Sequence, residues 1–547
     1  MADDLSRVTE DSARGGFFLF SGSALATVIM AVAAIVVGRL LGPDLYGQYN
    51  LVITVPALVL LFTDLGISTG ITKFAASLHN EGNDSRAFSI IRAGVWFRFL
   101  VGVLAAVLSI VFAGYLALVV NRPDYAFYVQ IVSLSIVFQV VFVTVNSAFV
   151  GLDKSEYNAL TTNVQALAKT VLQVSFVLVS FSLSGVLIGY VGGYAVASVA
   201  GAFMLFYRLL RPVKGRSNAR TDPNGESFGQ VLKLLARYGM PLYVSTVLGG
   251  VIPLYQKVVL GFFSSNVDVG NYSVSINFVA LLAVIPVSIT TALLPAFSKL
   301  GSSSTPDVVN AFFKRANKYT CLLIVPTAAL LLLFSNQVVG IVMGSKYSSA
   351  GLFLAFSVLV YFLAAMGSLS LTSLFNGLGE TRLTLKVASV NVFVVIGISP
   401  VLAQPYGVVG VVLASLVGGI VSTLYAAYVG VHKLKVQFEA RPTAKIYLAG
   451  FLASLLPLLL LHFMWARYAE VFVVGAFLYL LVYVTLMPLI GIVDERELAA
   501  LERMTSKIRG LNAAAKPVLQ YMRKILSVRY GSRERTHNIG NSSLSAR

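Results

Sequence analysis

The sequence predicts an all-α membrane protein of about fourteen transmembrane helices, arranged as two parallel-repeat six-helix lobes plus two extra C-terminal helices. Three observations predict it. Hydrophobic residues make up 57% of the 547 and charged ones 12%, with a mean hydropathy of +0.82, whereas soluble domains carry about a quarter charged residues. Apolar runs continue for about 20 residues instead of alternating, which selects helices over a barrel. Finally, the chain contains itself twice: GRLLGPDLYGQY at Gly38 returns as GFFSSNVDVGNY at Gly261, pairing Gly47 with Gly270, Tyr49 with Tyr272 and Phe74 with Phe297.

The spans are predicted over 17–38, 48–72, 90–113, 127–150, 159–181, 185–207, 239–263, 269–294, 318–334, 350–375, 384–402, 407–430, 446–466 and 471–493. The repeat offset covers six spans, an even number, so both copies enter the membrane with the same polarity. After a drift of three residues Phe149 matches Phe375, and Gly192-Gly193 matches Gly418-Gly419. The domain reading is an N-terminal lobe over 1–207, a cytoplasmic linker over 208–232 and a C-terminal lobe over 233–430. Spans thirteen and fourteen then occupy 446–493, and a basic cytoplasmic tail 494–547. Pro, Gly, Asn and Arg between Arg208 and Ser227 mark the linker. After it, Phe228, Val231, Leu232 and Leu235 form a short apolar stripe expected at the membrane interface. Leu498, Leu501, Ile508 and Leu511 have helical spacing, so the tail is expected to lay an amphipathic helix on the inner leaflet.

The first sixteen residues are polar and mixed in charge, and the run that follows is long enough to span, so no cleavable signal is expected. A lone Cys321 within a span gives no disulfide framework. His79, His432, His462 and His537 have no metal-ligand spacing, so no metal is expected. The net charge of +18 is topological: all but six of the 41 Lys and Arg residues lie on one side, leaving Arg39, Arg122, Lys169, Lys257, Lys346 and Arg467. That asymmetry places both termini in the cytoplasm of a multi-pass cell-membrane protein. It attracts anionic lipid heads and argues against nucleic acid as a partner.

GRLLGPDLYGQYNL at Gly38, DLGIS at Asp64, QKVVLGFFSSNVDVGNYS at Gln256 and FNGLGETR at Phe375 together resemble the polysaccharide and oligosaccharide flippase family. Its superfamily also holds the multidrug and toxin extrusion antiporters. The resemblance covers the first twelve spans. It implies alternating-access transfer of a polyprenyl-linked oligosaccharide from the cytoplasmic to the outer leaflet, for surface polysaccharide or glycoprotein synthesis. Glycosyltransferases or a polymerase of the same pathway are then the implied partners. The family often carries an acidic residue before the lysine of the seventh span, where this chain has Gln256.

A flippase needs no covalent chemistry, only a wet chamber that opens to one side at a time and carries positive charge for a phosphate linkage. Ionisable groups within spans cost about 2.5–3.5 kcal/mol each on insertion scales, so those present are functional candidates. Lys169 stands near the middle of the fifth span, and Gln165, Lys169 and Gln173 fall on one helix face. Its repeat mate is Val395. The alternative is a structural lysine satisfied by carbonyls or a carboxylate. Lys257, beside Gln256, either binds the linkage at the outer mouth or snorkels to the interface. Arg39 is a substrate candidate or an interfacial anchor; Arg98 and Lys73 either meet incoming phosphate or are ordinary cytoplasmic-side charges. Asn277 offers uncharged polar surface for sugar hydroxyls.

Asp64 in the second span either exchanges an ion during transport or pairs with Arg98 or Lys73 to lock two spans together. One charge crossing 100 mV gains about 2.3 kcal/mol, enough to drive transport by H+ or Na+ without any bound cofactor. Pro56, Pro241, Pro253 and Pro286 are expected to weaken their helices. A peptidoglycan-precursor flippase or a multidrug/cation antiporter are the alternatives of the same fold. An antiporter for cations would want acidic chambers, and a membrane glycosyltransferase would want paired carboxylates on long outer loops, so no enzyme is expected.

Overall fold

The structure is a computed structural model, which describes residues 2–210, 227–303, 305–463, 468–505, 512–513 and 515–527. Among the described residues every regular element is helical, and eleven helices are long and apolar enough to cross a membrane. They become twelve with the bent pair Ala350–Met366 and Ser370–Gly377, which meet at 53°. The expected count of fourteen is not what these helices give. The difference lies at two places where a loop was expected.

α1 (Ala2–Leu61) joins two helices across a kink at Gly42, whose φ of 74° and ψ of 174° turn the chain sharply. The helix Thr381–Leu434 does the same at Gly407, with φ 53° and ψ −126°. A residue bearing a Cβ is strained in either conformation, so glycine makes these kinks possible. Conversely, the expected second span is interrupted. α1 ends at Leu61 and α2 (Ile67–Asn80) begins after Gly66, leaving Asp64 in the break instead of inside a helix.

The first repeat continues with α3 (Asp84–Val111), the short α4 (Ala113–Val119), α5 (Ala126–Gly151), α6 (Ser155–Phe176) and α7 (Ser182–Phe203). A wider π-type turn at Val177–Phe181 and positive φ at Ser182 separate the last two. α8 (Phe228–Phe263) opens with a capping box, Ser227 accepting from the Gln230 amide and Gln230 returning the bond to the Ser227 amide. Residues 228–232 therefore belong to this helix and not to the linker, whose residues 211–226 lie outside the described residues. Val231 and Leu235 are buried against Ile67, Ile71, Ile90 and Phe149. Three of the four residues of the stripe expected at the membrane interface thus pack onto protein, while Phe228 is exposed.

Pro241 and Pro253 sit inside α8 without ending it, whereas Pro286 stands just past the interruption between α9 (Asn266–Leu282) and α10 (Val284–Ser303). The second repeat goes on through α11 (Pro306–Leu333), α12 (Ser335–Met343), α13 (Ala350–Val358) and α14 (Ser370–Gly377) to α15 (Thr381–Leu434). α16 (Ala440–Phe463), α17 (Tyr468–Ile490) and α18 (Glu495–Thr505) close the chain.

The chain divides into two compact units. One comprises residues 1–277, 343–353 and 388–418, and so draws on both copies of the repeat; the other comprises 278–342, 354–387 and 419–547. In the first unit the duplication is visible as paired contacts. A Cβ on Gly47 would lie 1.8 Å from the Asn266 carbonyl oxygen, and one on its mate Gly270 would lie 2.0 Å from that of Pro43. Two helices cross backbone to backbone there, which only small residues permit. Likewise Gly38 abuts Met343 while its mate Gly261 abuts Val120, and these partners are also 223 positions apart. The Gly38 carbonyl accepts from the Tyr347 hydroxyl at 2.6 Å, and the Gly261 carbonyl from Arg122 at 2.7 Å.

The second unit is built on Cys321, Ile324, Val325, Ile446, Ala449, Tyr479 and Tyr483. Leu498 of α18 and Leu519, Met522 and Leu526 of a further helical stretch at 515–527 are buried in the same core. Lys318 pairs with Glu497 at 2.5 Å. At these positions the tail packs against protein and not merely on the leaflet; Ile508, Leu511 and residues 528–547 lie outside the described residues.

Candidate functional site

α7 lies on the polar face of α6 through glycines. A Cβ on Gly189 would come within 2.6 Å of the Gln173 backbone nitrogen, and one on Gly193 within 2.5 Å of Lys169 Cβ. That close seat directs the Lys169 side chain along α7, where its Nζ stands 4.9 Å from the centre of the Tyr190 ring. This is cation–π distance. Gln173 Nε2 donates to the Tyr49 hydroxyl at 3.1 Å and to the Val186 carbonyl at 3.2 Å. Gln165 is buried with its Nε2 unpartnered.

The rings continue from one helix to the next. Tyr49 stacks on Tyr46 at 6.0 Å and meets Tyr190 edge-on at 6.4 Å, and Tyr190 meets Tyr194 at 5.2 Å. From the second repeat, Lys257 Nζ donates to Asn50 Oδ1 at 3.2 Å, and Asn277 Nδ2 donates to the Tyr46 hydroxyl at 3.0 Å. Gln256 Nε2 donates to the Ser415 hydroxyl, while its Oε1 accepts from Tyr272 at 3.1 Å. Hence Gln165, Lys169, Gln173, Lys257, Gln256 and Asn277, separated by up to 112 positions in sequence, belong to one neighbourhood of the first unit. Among the described residues neither lysine has a carboxylate at ion-pair distance.

Sequence reasoning did not name Tyr46, Tyr49, Asn50, Tyr190 or Tyr194 as site residues. Tyr49 stood in the repeat as the mate of Tyr272, and that symmetry was the available signal, since Tyr46 and Asn50 flank it by one helical turn and one residue.

Arg98, Asp64 and Lys73 lie elsewhere in this unit. Arg98, only 2% exposed, is well inside α3, with its Nη2 3.3 Å from Asp64 Oδ1 and its Nε donating to Thr144 Oγ1 at 3.3 Å. Asp64 also accepts from the Ser68 hydroxyl at 2.5 Å. Of the two pairings the sequence offered Asp64, the geometry selects Arg98. Lys73 is exposed, its Nζ 3.9 Å from the centre of the Tyr238 ring. Arg39 is exposed on α1, three residues before the Gly42 kink.

The fold and this interior define a multi-pass helical membrane protein built from a duplicated bundle, of the kind found among exporters. The polysaccharide biosynthesis protein family matches residues 12–301, more than half of the chain, and the chain belongs to that family. It is 23% identical over 248 residues to a probable low-salt glycan biosynthesis flippase, Agl15, of Haloferax volcanii. The match takes in 44% of this chain and 52% of that protein, so the chain spans about half the length of the curated relative it matches. Among solved structures it is similar to the lipid II flippase MurJ in an inward closed conformation. The TM-score is 0.68 at 15% identity, over 87% of this chain and 98% of that one. It is also similar to an inward-facing multidrug resistance MATE family transporter of the MOP superfamily, with TM-score 0.60 at 14% identity over 75% and 94%. At such identities the likeness is one of fold.

Proposed function

We propose that the chain transfers an anionic, polyprenyl-linked oligosaccharide from the cytoplasmic to the outer leaflet by alternating access, with both termini in the cytoplasm. One observation carries this reading: Lys169, over the Tyr190 ring, and Lys257, bonded to Asn50, are two ammonium groups on membrane-spanning helices with no ion-paired carboxylate among the described residues. Each costs about 2.5–3.5 kcal/mol to place at bilayer depth. A ligand that brings a phosphate or diphosphate into their midst offsets both costs. The tyrosines and amides around them offer neutral hydrogen-bonding and ring surface to a sugar headgroup. The family and the name of the Haloferax relative support the same substrate class.

The neighbourhood is closed in this structure, Tyr46, Tyr49 and Tyr190 being 4%, 6% and 7% exposed, so transport requires the packed rings to part. No bond of the substrate is made or broken, and the protein acts as a transporter and not an enzyme. Glycosyltransferases on the inner side and a polymerase or transferase on the outer side would supply and consume the cargo. Asp64, held in the break between α1 and α2, is the candidate for coupling to H+ or Na+. The reading of an exporter of apolar cations is disfavoured, because the two lysines repel such a ligand.

The test is reconstitution into liposomes with a labelled polyprenyl-diphosphate oligosaccharide, scoring its exposure in the outer leaflet. Lys169→Ala and Lys257→Ala should each slow transfer while leaving the protein folded. Unchanged transfer by both removes the site assignment.

A further inference from the structure

The polar face of α6 has a counterpart that sequence patterns alone did not disclose. In the register set by Gly192 and Gly418, Gln165 corresponds to Asn391, Lys169 to Val395 and Gln173 to Ser399. Both triplets recur every four residues and so occupy one face of their helices, α6 and the first arm of α15. A glycine of the next helix also lies against each face, one residue apart in register: Gly193 against Lys169, and Gly418, where a Cβ would lie 2.5 Å from Val395 Cγ2 and 2.7 Å from Asn391 Oδ1. Both copies therefore carry the polar ends of the stripe, while its centre is a lysine in one and a valine in the other.

The same faces carry polar atoms buried without a partner among the described residues: Gln165 Nε2, Asn391 Oδ1 and Ser399 Oγ. Gln165 is 4% exposed and Ser399 0%. Buried amides and hydroxyls are paired in the great majority of proteins, and at bilayer depth no bulk water stands by to satisfy them. Three unpaired groups on two corresponding faces of one unit call for a ligand that brings its own donors and acceptors. The second face is tied to the lysine-bearing helix: the Tyr255 hydroxyl, two residues before Lys257, donates to the Ile396 carbonyl at 2.9 Å.

We propose that Asn391 and Ser399, together with Gln165, form an uncharged subsite for the glycan hydroxyls of the cargo, separate from the Lys169–Lys257 pair that takes its anionic linkage. The proposal rests on the flippase reading above. Amides and hydroxyls both donate and accept, as sugar hydroxyls do, and carry no charge that would compete for the phosphate. The cargo is then oriented with its linkage toward Lys169 and Lys257 and its sugar toward Asn391 and Ser399.

The experiment compares binding of two probes to the purified full-length protein in detergent: a polyprenyl diphosphate bearing an oligosaccharide, and the same lipid diphosphate without sugar. Asn391→Leu should weaken the glycosylated probe about tenfold, the worth of one or two neutral hydrogen bonds, and leave the sugar-free probe within about twofold. Ser399→Ala, which only deletes a hydroxyl and so spares the fold, should weaken the glycosylated probe about threefold with the same selectivity. Lys169→Ala should weaken both probes. Equal losses for both probes in the Asn391 and Ser399 variants, or no loss for the glycosylated one, overturn the subsite. A wild-type protein that binds neither probe overturns the flippase reading itself, and the subsite with it.

Discussion

Replacing Arg122 should release the end of the first unit at which the Gly47–Gly270 crossing lies. The Arg122 guanidinium donates to the Gly261 carbonyl at 2.7 Å, the Ser264 carbonyl at 2.9 Å and Asn266 Oδ1 at 3.3 Å, tying the loop before α5 to the C-terminal end of α8. That helix end presents unsatisfied carbonyls and the negative pole of its dipole, so a cation is well placed there. Allowing about 1 kcal/mol for each of the three bonds, below the usual range for a charged donor because the side chain is half-exposed, the latch contributes about 3 kcal/mol. A shift of that size is about 100-fold in an open–closed equilibrium. The counterpart bond, from Tyr347 to the Gly38 carbonyl, is single and neutral, so Tyr347→Phe should shift the balance only about fivefold. The assay places a reporter at Asn50→Cys in a Cys321→Ala background, Cys321 being buried, and follows labelling by a membrane-impermeant thiol reagent added outside. Arg122→Ala should accelerate labelling by up to two orders of magnitude, with Arg122→Lys in between. Equal rates in wild type and Arg122→Ala would refute the latch.

Two further outcomes can be checked beside those for Lys169, Lys257, Asn391 and Ser399. Gly47→Ala drives a methyl to within 1.8 Å of the Asn266 carbonyl, an overpacking that should cost about 1–3 kcal/mol, lower the unfolding temperature in detergent and speed labelling from outside; no change in either measurement counts against the crossing. Asp64→Ala leaves Arg98 buried without a counter-charge and should destabilise by about 3–5 kcal/mol, whereas Asp64→Asn keeps the shape and separates the two roles. If Asp64 carries the coupled ion, Asp64→Asn removes the acceleration of transfer by an imposed proton or sodium gradient; a preserved gradient response assigns it to holding Arg98 alone.

The helical class was legible because burial in lipid leaves long uninterrupted apolar runs, and the duplication was legible because Gly47 and Gly270 are fixed by a backbone contact that tolerates nothing larger. The lysines could be singled out for the same energetic reason that makes them costly. Other features depend on what a face packs against, which periodicity does not encode. Val231 and Leu235 announce a one-sided helix, but not that its partner is α2 and α3 in place of lipid. Polar residues near Arg39 and Gln404 suggested loops, and two helices do meet there, but at the tight kinks of Gly42 and Gly407. Conversely, nothing in the apolar run around Phe62 signalled a break, since Gly66 in the left-handed region suffices to make one. The tyrosines escaped notice because in a membrane protein such rings are ordinarily interfacial, and only the fold lines up Tyr46, Tyr49, Tyr190 and Tyr194 beside two lysines.

The terminal helical stretch has a consequence for the order of biogenesis. Leu519, Met522 and Leu526 complete the packing around Tyr483 and Met487, and these are among the last described residues to leave the ribosome. Insertion of the preceding spans can proceed from the N-terminus as they are synthesised, but the second unit cannot seal its interior until residues 519–526 have been made. A stop codon shortly after Ile490 would leave that interior without its cover.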